Sequence, residues 1–490
     1  MKSVVIIGSG LGGLSCGVIL AKNGYDVTVL EQSPQAGGCL QCFSRRGAKF
    51  ETGMHFIGSA AEGQVLDRLM DYLEIKGDIT LSPLDADGYE VIALGGKLYR
   101  FAIGRAAFVE QLASDFPHQR TQLNRYFDLV EKVANASSLH SMKQVEGDDA
   151  VNTEYQLRAV NEVIDKVITD PLLAKVLVGN LPLYAGVKDS TPFSVHAFIT
   201  DFYNQSAFRI VGGSDKVATS MVNTIVRYGG RICTRQKVTH IDCDEERAVG
   251  VTTEDGRHYA ADIVISDAHP KCTLEMIDSK LIRPAFRNRI NNMPQTIGGF
   301  SIYLEFKEGT TPYMNYNYYG YEGDTPWGCE QYDEQSWPKG FLYMHFCQQE
   351  HQEFATTGVV ISYMKMDEVE RWRGTSVGHR GEDYEQFKAR KAEKLLDTLE
   401  RHFPGLRSCI KHYYTSTPLT YLDYTGTEGG SMYGVAKDVA LGPACRVPHK
   451  TKIPNVLQTG QNINSHGMLG VLVGTMVTCN EILKGGWFKD

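Results

Sequence analysis

Val4-Val5-Ile6-Ile7-Gly8-Ser9-Gly10-Leu11-Gly12-Gly13-Leu14 is the stretch on which the fold turns. An apolar run leads into a glycine turn, then into an apolar helix from about Leu11 to Asn23. A second apolar strand, Val27-Thr28-Val29-Leu30, ends on an acid, Glu31. Gly8 permits the tight turn, Gly10 lets backbone N–H groups approach a pyrophosphate, and Gly13 lets the helix pack on the sheet, with Gly12 between them as a further cofactor-binding candidate. The pyrophosphate sits on the free N–H groups and positive end of the helix. Glu31 accepts hydrogen bonds from adenosine ribose hydroxyls and repels a 2′-phosphate, which reads as FAD or NAD and not NADP.

At 490 residues the chain has room for two or three compact units. Hydrophobic residues at 42% and charged residues at 22% are ordinary for a globular protein, so a large core is expected. A net charge of −8 and a pI near 6.0 leave no footprint for nucleic acid and no polybasic patch for anionic lipid. No apolar run of about 18 residues marks a membrane span. Eleven cysteines, scattered from Cys16 to Cys479, fit a reducing compartment rather than a disulfide framework, so a cytoplasmic location is expected. Cys39-Leu40-Gln41-Cys42 is the one CxxC, too isolated for a four-cysteine zinc site, and no metal site is expected. It reads as two packed thiols or as a redox dithiol.

A second glycine-marked unit begins at Gly212-Gly213-Ser214, where Ser214 is placed to cap a helix carrying Val217, Met221 and Ile225 on one face. Ala248-Val249-Gly250-Val251-Thr252 with Asp255-Gly256 reads as a hairpin, followed by a buried strand over Ala261-Asp262-Ile263-Val264-Ile265-Ser266. A third fragment runs from the strand Asn455-Val456-Leu457-Gln458 through Thr459-Gly460-Gln461 to an apolar helix from near Met468 to Lys484, stopped by Gly485-Gly486. Between these fragments lie a helical stretch and one of mixed strands and tyrosine-rich loops. The expected architecture is α/β: a discontinuous Rossmann-type dinucleotide domain over 1–84, 205–289 and 421–490, with an inserted α+β substrate or cap domain over 85–204 and 290–420. A short amphipathic helix around Leu172 to Val187 would look like an ordinary core helix, which leaves peripheral membrane contact open.

Gly37-Gly38-Cys39, followed by Phe50-Glu51-Thr52-Gly53-Met54-His55-Phe56-Ile57-Gly58, resembles the FAD-dependent oxidoreductases of the phytoene desaturase and carotenoid isomerase type, and within them the retinol saturase branch. Gly212-Gly213-Ser214, Thr417-Pro418-Leu419-Thr420, Gly429-Gly430-Ser431-Met432-Tyr433-Gly434 and Thr459-Gly460-Gln461-Asn462-Ile463-Asn464-Ser465-His466-Gly467 are similar too. The resemblance implies that Gly8, Gly10 and Gly13 hold the FAD pyrophosphate and Glu31 the ribose. It places Gly37, Gly38 and Cys39 beside the phosphates and flavin, Val238 at the adenine, Gly460 and Gln461 at the ribityl chain, and Leu469 and Gly470 at the pyrimidine edge. Cys39 stands where many relatives carry Arg or Lys, and Gln461 where they carry Asp.

What the resemblance implies for activity is reduction, desaturation or isomerisation at carbon–carbon double bonds of a hydrophobic polyene or isoprenoid. His55 and His466 are the candidate proton handlers, because imidazole titrates near neutral pH, with Tyr433 as a third. No second GxGxxG with a following acid is present, so a reductase needs transient docking of NAD(P)H or an external donor. Two rivals share the architecture: a flavin amine oxidase and a flavin-free lipid carrier.

Overall fold

The computed structural model describes residues 1–137 and 149–484. Five parallel strands form the central sheet: β1 (Ser3–Ile7), β2 (Asp26–Leu30), β3 (Arg231–Cys233), β4 (Ile263–Ser266) and β5 (Val456–Gln458), in the order β3-β2-β1-β4-β5. Strands buried on both faces read as continuous apolar runs, as β1 and β2 do. Helix α1 (Leu11–Lys22) is buried along its whole middle, Gly12 to Ala21, between the sheet and helices α2 (Asp215–Arg227) and α3 (Gly467–Leu483). Gly17 is the reason α1 and α2 come so close, since a Cβ there would meet Ile225 Cδ1 at 2.7 Å. The chain has the α/β architecture of an FAD-binding Rossmann fold.

The segments 238–243, 248–253 and 258–260 make a separate three-stranded antiparallel sheet, while β3 and β4 on either side of them join the parallel one. Ile241, Ala248 and Val251 pack against Val5, Ile7 and Val264. The hairpin therefore stacks on the nucleotide sheet rather than extending it.

A seven-stranded sheet forms the second layer system, in the order 410–416, 298–306, 357–364, 340–345, 317–321, 90–94, 97–101. All its neighbours are antiparallel except 317–321 with 90–94. Helices Arg105–Asp115, Arg120–Asn135, Val160–Val167 and Phe193–Gln205 join it in one aromatic-rich core. The tyrosines at 318, 319 and 321 are buried there and are structural.

Two local expectations change. Ser214 stands at the N-cap of α2, but its hydroxyl donates to Leu40 O at 3.0 Å and makes no cap bond. No single helix spans 172–187: the helix is Pro171–Leu177, followed by a 3-10 turn over Leu181–Leu183. Pro182 has no N–H to continue a helix, and Gly179 and Gly186 weaken one on either side. Helix α3 ends at Leu483 with Lys484 as its left-handed cap, and the proposed stop at Gly485-Gly486 lies outside the described residues. Among the described residues no helix is long and apolar enough to cross a membrane.

Glu90 lies fully inside the second core, accepting hydrogen bonds from Tyr319 OH at 2.8 Å and Asn180 Nδ2 at 3.1 Å. Burial pushes its carboxyl up to about 7, against those two donors. A folded-state value above the unfolded one means the native state holds its proton longer, so this group costs stability as pH rises from about 4.5 through about 7. The amide of Glu90→Gln has a ready acceptor, because Asn180 Oδ1 is unpartnered and the Asn180 amide can turn over. Glu90→Gln is therefore expected to melt above wild type near pH 8, with the gap closing by about pH 5 in thermal unfolding curves.

Candidate active site

The turn after β1 and the first residues of α1 form one wall of a cradle. Gly8, at φ 93°, donates its N–H to Leu30 O at 2.8 Å, and Gly10 is the N-cap of α1. A Cβ on Gly13 would overlap Gly8 O, and one on Gly12 would lie 2.7 Å from Gly460 N. Gly38, at φ 54°, leaves only 3.0 Å between its missing Cβ and Gly10 Cα. The three chain segments carrying Gly8 to Gly13, Gly37 to Cys39, and Gly460 thus meet through glycine at their closest contacts. That is what a dinucleotide contacting backbone needs, and the residues fit one.

Glu31 ends β2 beside this wall. Its carboxylate accepts from Ser9 N (2.9 Å), Ser9 Oγ (2.5 Å) and Ser33 N (2.8 Å) and is nearly buried. It orders the glycine turn and retains lone pairs for a ribose. Gln236 N donates to Glu31 O at 2.8 Å, which brings the start of the Val238–Cys243 strand alongside. An acid absent from the sequence reading also enters the cradle: Asp267, just past β4, whose Oδ1 would lie 2.6 Å from a Cβ on Gly12.

Beside the cradle is an inner cavity of about 210 Å³ that brings together residues far apart in the chain. Cys39, His55, Tyr433, Gln461, His466, Leu469 and Gly470 all line it, with Phe198, Phe202, Leu342, Met344, Ile361 and Met432 supplying apolar wall. Among the described residues no Asp, Glu, Lys or Arg lines it. Gly470 lets α3 tuck against its own approach loop, since a Cβ there would meet Ser465 Cβ at 2.6 Å. Val238 lies outside this cavity, on the strand that runs from beside Glu31.

The three candidate proton handlers differ. His466 packs on the Tyr433 ring at 4.5 Å, and its Nε2 is buried without a partner. Burial, with the Lys437 ammonium adding to it, pushes His466 down to about 4, so its ring is neutral at neutral pH. Tyr433 OH donates to Pro182 O at 2.9 Å, and burial raises the phenol well out of working range. His55 instead has an acid behind it: its Nδ1 lies 3.4 Å from Glu51 Oε2, both side chains being almost wholly buried. Its ring stacks on Phe346 at 5.5 Å, and the buried Arg209 donates to His55 O at 3.2 Å. Burial pushes the Glu51 carboxyl up, while His55 and Arg209 pull it back. Glu51 and Arg209 were not among the sequence candidates. The acid four places before His55 was visible, but its approach to Nδ1 depends on how the chain bends between them.

An outer cavity of about 850 Å³ opens beyond, lined by Phe43, Tyr303, Tyr384, Tyr414 and Tyr424. Cys39, Thr52 and Tyr421 line both cavities and form the neck between them. Burial, with Asp267 adding to it, pushes the Cys39 thiol up to about 11; burial, then Glu51, pushes Cys42 up to about 12. Both cysteines are free thiols, and neither has the lowered pKa of a reactive dithiol.

The chain is similar over 99% of its length to the all-trans-retinol 13,14-reductase of Rattus norvegicus, at 28% identity and 86% coverage of that protein. It is 24% identical to the chloroplastic prolycopene isomerase 1 of an Oncidium hybrid cultivar, covering 89% of this chain and 76% of that one. A phytoene desaturase (lycopene-forming) of Paracoccus sp. matches 54% of each chain at 28% identity. Among solved structures, an oxidoreductase from Methanosarcina mazei superposes with a TM-score of 0.66 at 16% identity, covering 98% of this chain and all of that one. Putrescine oxidase bound to putrescine gives 0.66 at 14%, covering 99% of each. These two show the shared fold. The family model described as flavin containing amine oxidoreductase matches residues 11–382, well over half of the sequence, and the chain belongs to that family.

Proposed function

We propose that this protein is an FAD-dependent oxidoreductase that reduces a carbon–carbon double bond of a conjugated isoprenoid, in the manner of a retinol saturase. The observation that carries the reading is the inner cavity: apolar walls, two histidines, three tyrosines and, among the described residues, no carboxylate to receive an ammonium ion. An amine substrate would meet no counter-ion there, whereas a polyene needs none. The similarity to retinol 13,14-reductase, prolycopene isomerase and phytoene desaturase supports the same substrate class.

Gly8, Gly10, Gly12, Gly13 and Glu31 would hold the adenosine diphosphate half. Gly37, Gly38, Cys39, Gly460, Gln461, Leu469 and Gly470 would border the ring system, and Val238 the adenine. When bound, the flavin supplies hydride chemistry that side chains cannot. The chain supplies a dry apolar chamber and a proton. His55 carries that proton on Nε2, and Glu51 at Nδ1 fixes the tautomer and balances the imidazolium charge. His466, neutral, and Tyr433, bonded to Pro182 O, shape the opposite wall. Electrons come from a carrier that docks transiently, NAD(P)H or an external donor.

Anaerobically reduced protein given all-trans-retinol or a carotenoid should reoxidise its flavin and yield a product two mass units heavier. A spectrum and product mass unchanged with every polyene, alongside hydrogen peroxide release from polyamines, would point to amine oxidation instead. His55→Gln should keep its flavin and lose roughly a hundredfold in turnover; unchanged turnover would leave the flavin working without this acid. Glu31→Ala removes charged hydrogen bonds worth about 1.5 to 3 kcal/mol each. Its flavin should escape on dilution, and retention equal to wild type would move the ribose contact elsewhere.

A further inference from the structure

Asp267 follows the last residue of β4, and its carboxyl group occupies the middle of the glycine cradle. A Cβ added to Gly10 or to Gly460 would overlap one of its oxygens, and the oxygen facing Gly460 also faces Gly12. The N–H groups of Gly10 and Gly13, at the start of α1, favour its charged form against burial. Those are the donors on which the diphosphate of a dinucleotide rests in this fold. Asp267 and the diphosphate thus claim the same helix end.

Charge makes the competition acute. Glu31 stands close enough to Asp267 to raise it further, and its own oxygens are held by Ser9 and Ser33 rather than by a cation. Cys39, the other titratable group facing Asp267, is a neutral thiol. His269, two residues on, turns away, with Nε2 on Gln295 Oε1 at 3.0 Å and Nδ1 accepting from Lys271 N. Two carboxylates and a doubly charged diphosphate would share one helix terminus, and among the described residues no basic side chain stands between them. Like charges so placed cannot all ionise together.

We propose that Asp267 is a dinucleotide-site residue that acts as the neutral carboxylic acid, so that FAD binding takes up one proton. This rests on the reading of the cradle as the FAD site. Burial, with Glu31 adding to it, pushes the Asp267 carboxyl up to about 7, against the Gly13 and Gly10 N–H groups, so the proton is available near neutral pH. The sign follows: a raised acid is protonated below about pH 7 and charged above, so affinity is constant on the acid side and falls about tenfold per pH unit on the alkaline side. Asp267→Asn keeps the shape and donor of the neutral acid and cannot ionise.

The test is titration of the flavin-stripped full chain with FAD, followed by flavin fluorescence, from about pH 6 to about pH 9. Wild-type Kd should rise roughly a hundredfold from about pH 7 to about pH 9, while Asp267→Asn should hold the low-pH affinity throughout. Calorimetry near pH 8 in two buffers of different ionisation heat should show uptake close to one proton in wild type, which decides the matter even if the variant fails to fold. Tight binding with a flat pH profile and no proton uptake would overturn the role of Asp267 alone. Absence of FAD binding at every pH would overturn the dinucleotide reading and this inference with it.

Discussion

The parallel register of β1 between β2 and β4 governs the rest of the molecule. Ile7 pairs with Leu30 on one side and Ser266 on the other, and Ser266 pairs with Gln458. The residues that follow each strand therefore leave the sheet at one edge. Gly8, Glu31, Asp267 and Gly460 become neighbours there, although they come from four distant parts of the sequence. Parallel strands share a carboxyl-terminal edge, and helix α1 begins at it with unsatisfied N–H groups. Glycine at the contact points lets the backbones approach closely enough for those groups to face one ligand.

The second sheet has a different task. Its core is crowded with tyrosines, and its buried polar groups are spent on one another: Glu90 with Tyr319 and Asn180, His196 with Tyr126 and Tyr184. Arg209 ties the two layers together, reaching His55 O on the nucleotide side and Asn317 Oδ1 in the tyrosine sheet at 2.9 Å. A buried guanidinium bonded to carbonyls fixes the orientation of two elements more sharply than apolar contact does. The inner cavity inherits its shape from that junction, with Leu342 and Met344 from one side and Met54 to Phe56 from the other.

Much of this was legible in the chain. The strand, glycine turn and helix at Val4 to Leu14 are local, so spacing alone identified them, and Glu31 followed from the second strand. His55, Tyr433 and His466 do share one cavity, which no periodicity could reveal; the resemblance placed them there. Asp267 was missed because a single acid after a buried strand carries no pattern, and its meaning depends on Gly12 and Gly460 arriving beside it. Arg209 was missed because a lone arginine in an apolar strand announces no partner, and its partners at 55, 316 and 317 are all distant. Ser214 failed as a cap for the same reason, since Leu40 O offered its hydroxyl a tertiary acceptor.

The pairing of β4 with β5 sets a timetable for the molecule's birth. Gly12 leaves the ribosome long before Gly460, which closes on it. Loop closure across so long an intervening chain is slow compared with formation of the helices and hairpins between. The aromatic sheet can collapse as soon as its own strands are complete. Until β5 arrives the β4 edge on that side stays unpaired, and the glycine cradle, which includes Gly460, is completed only when that strand docks.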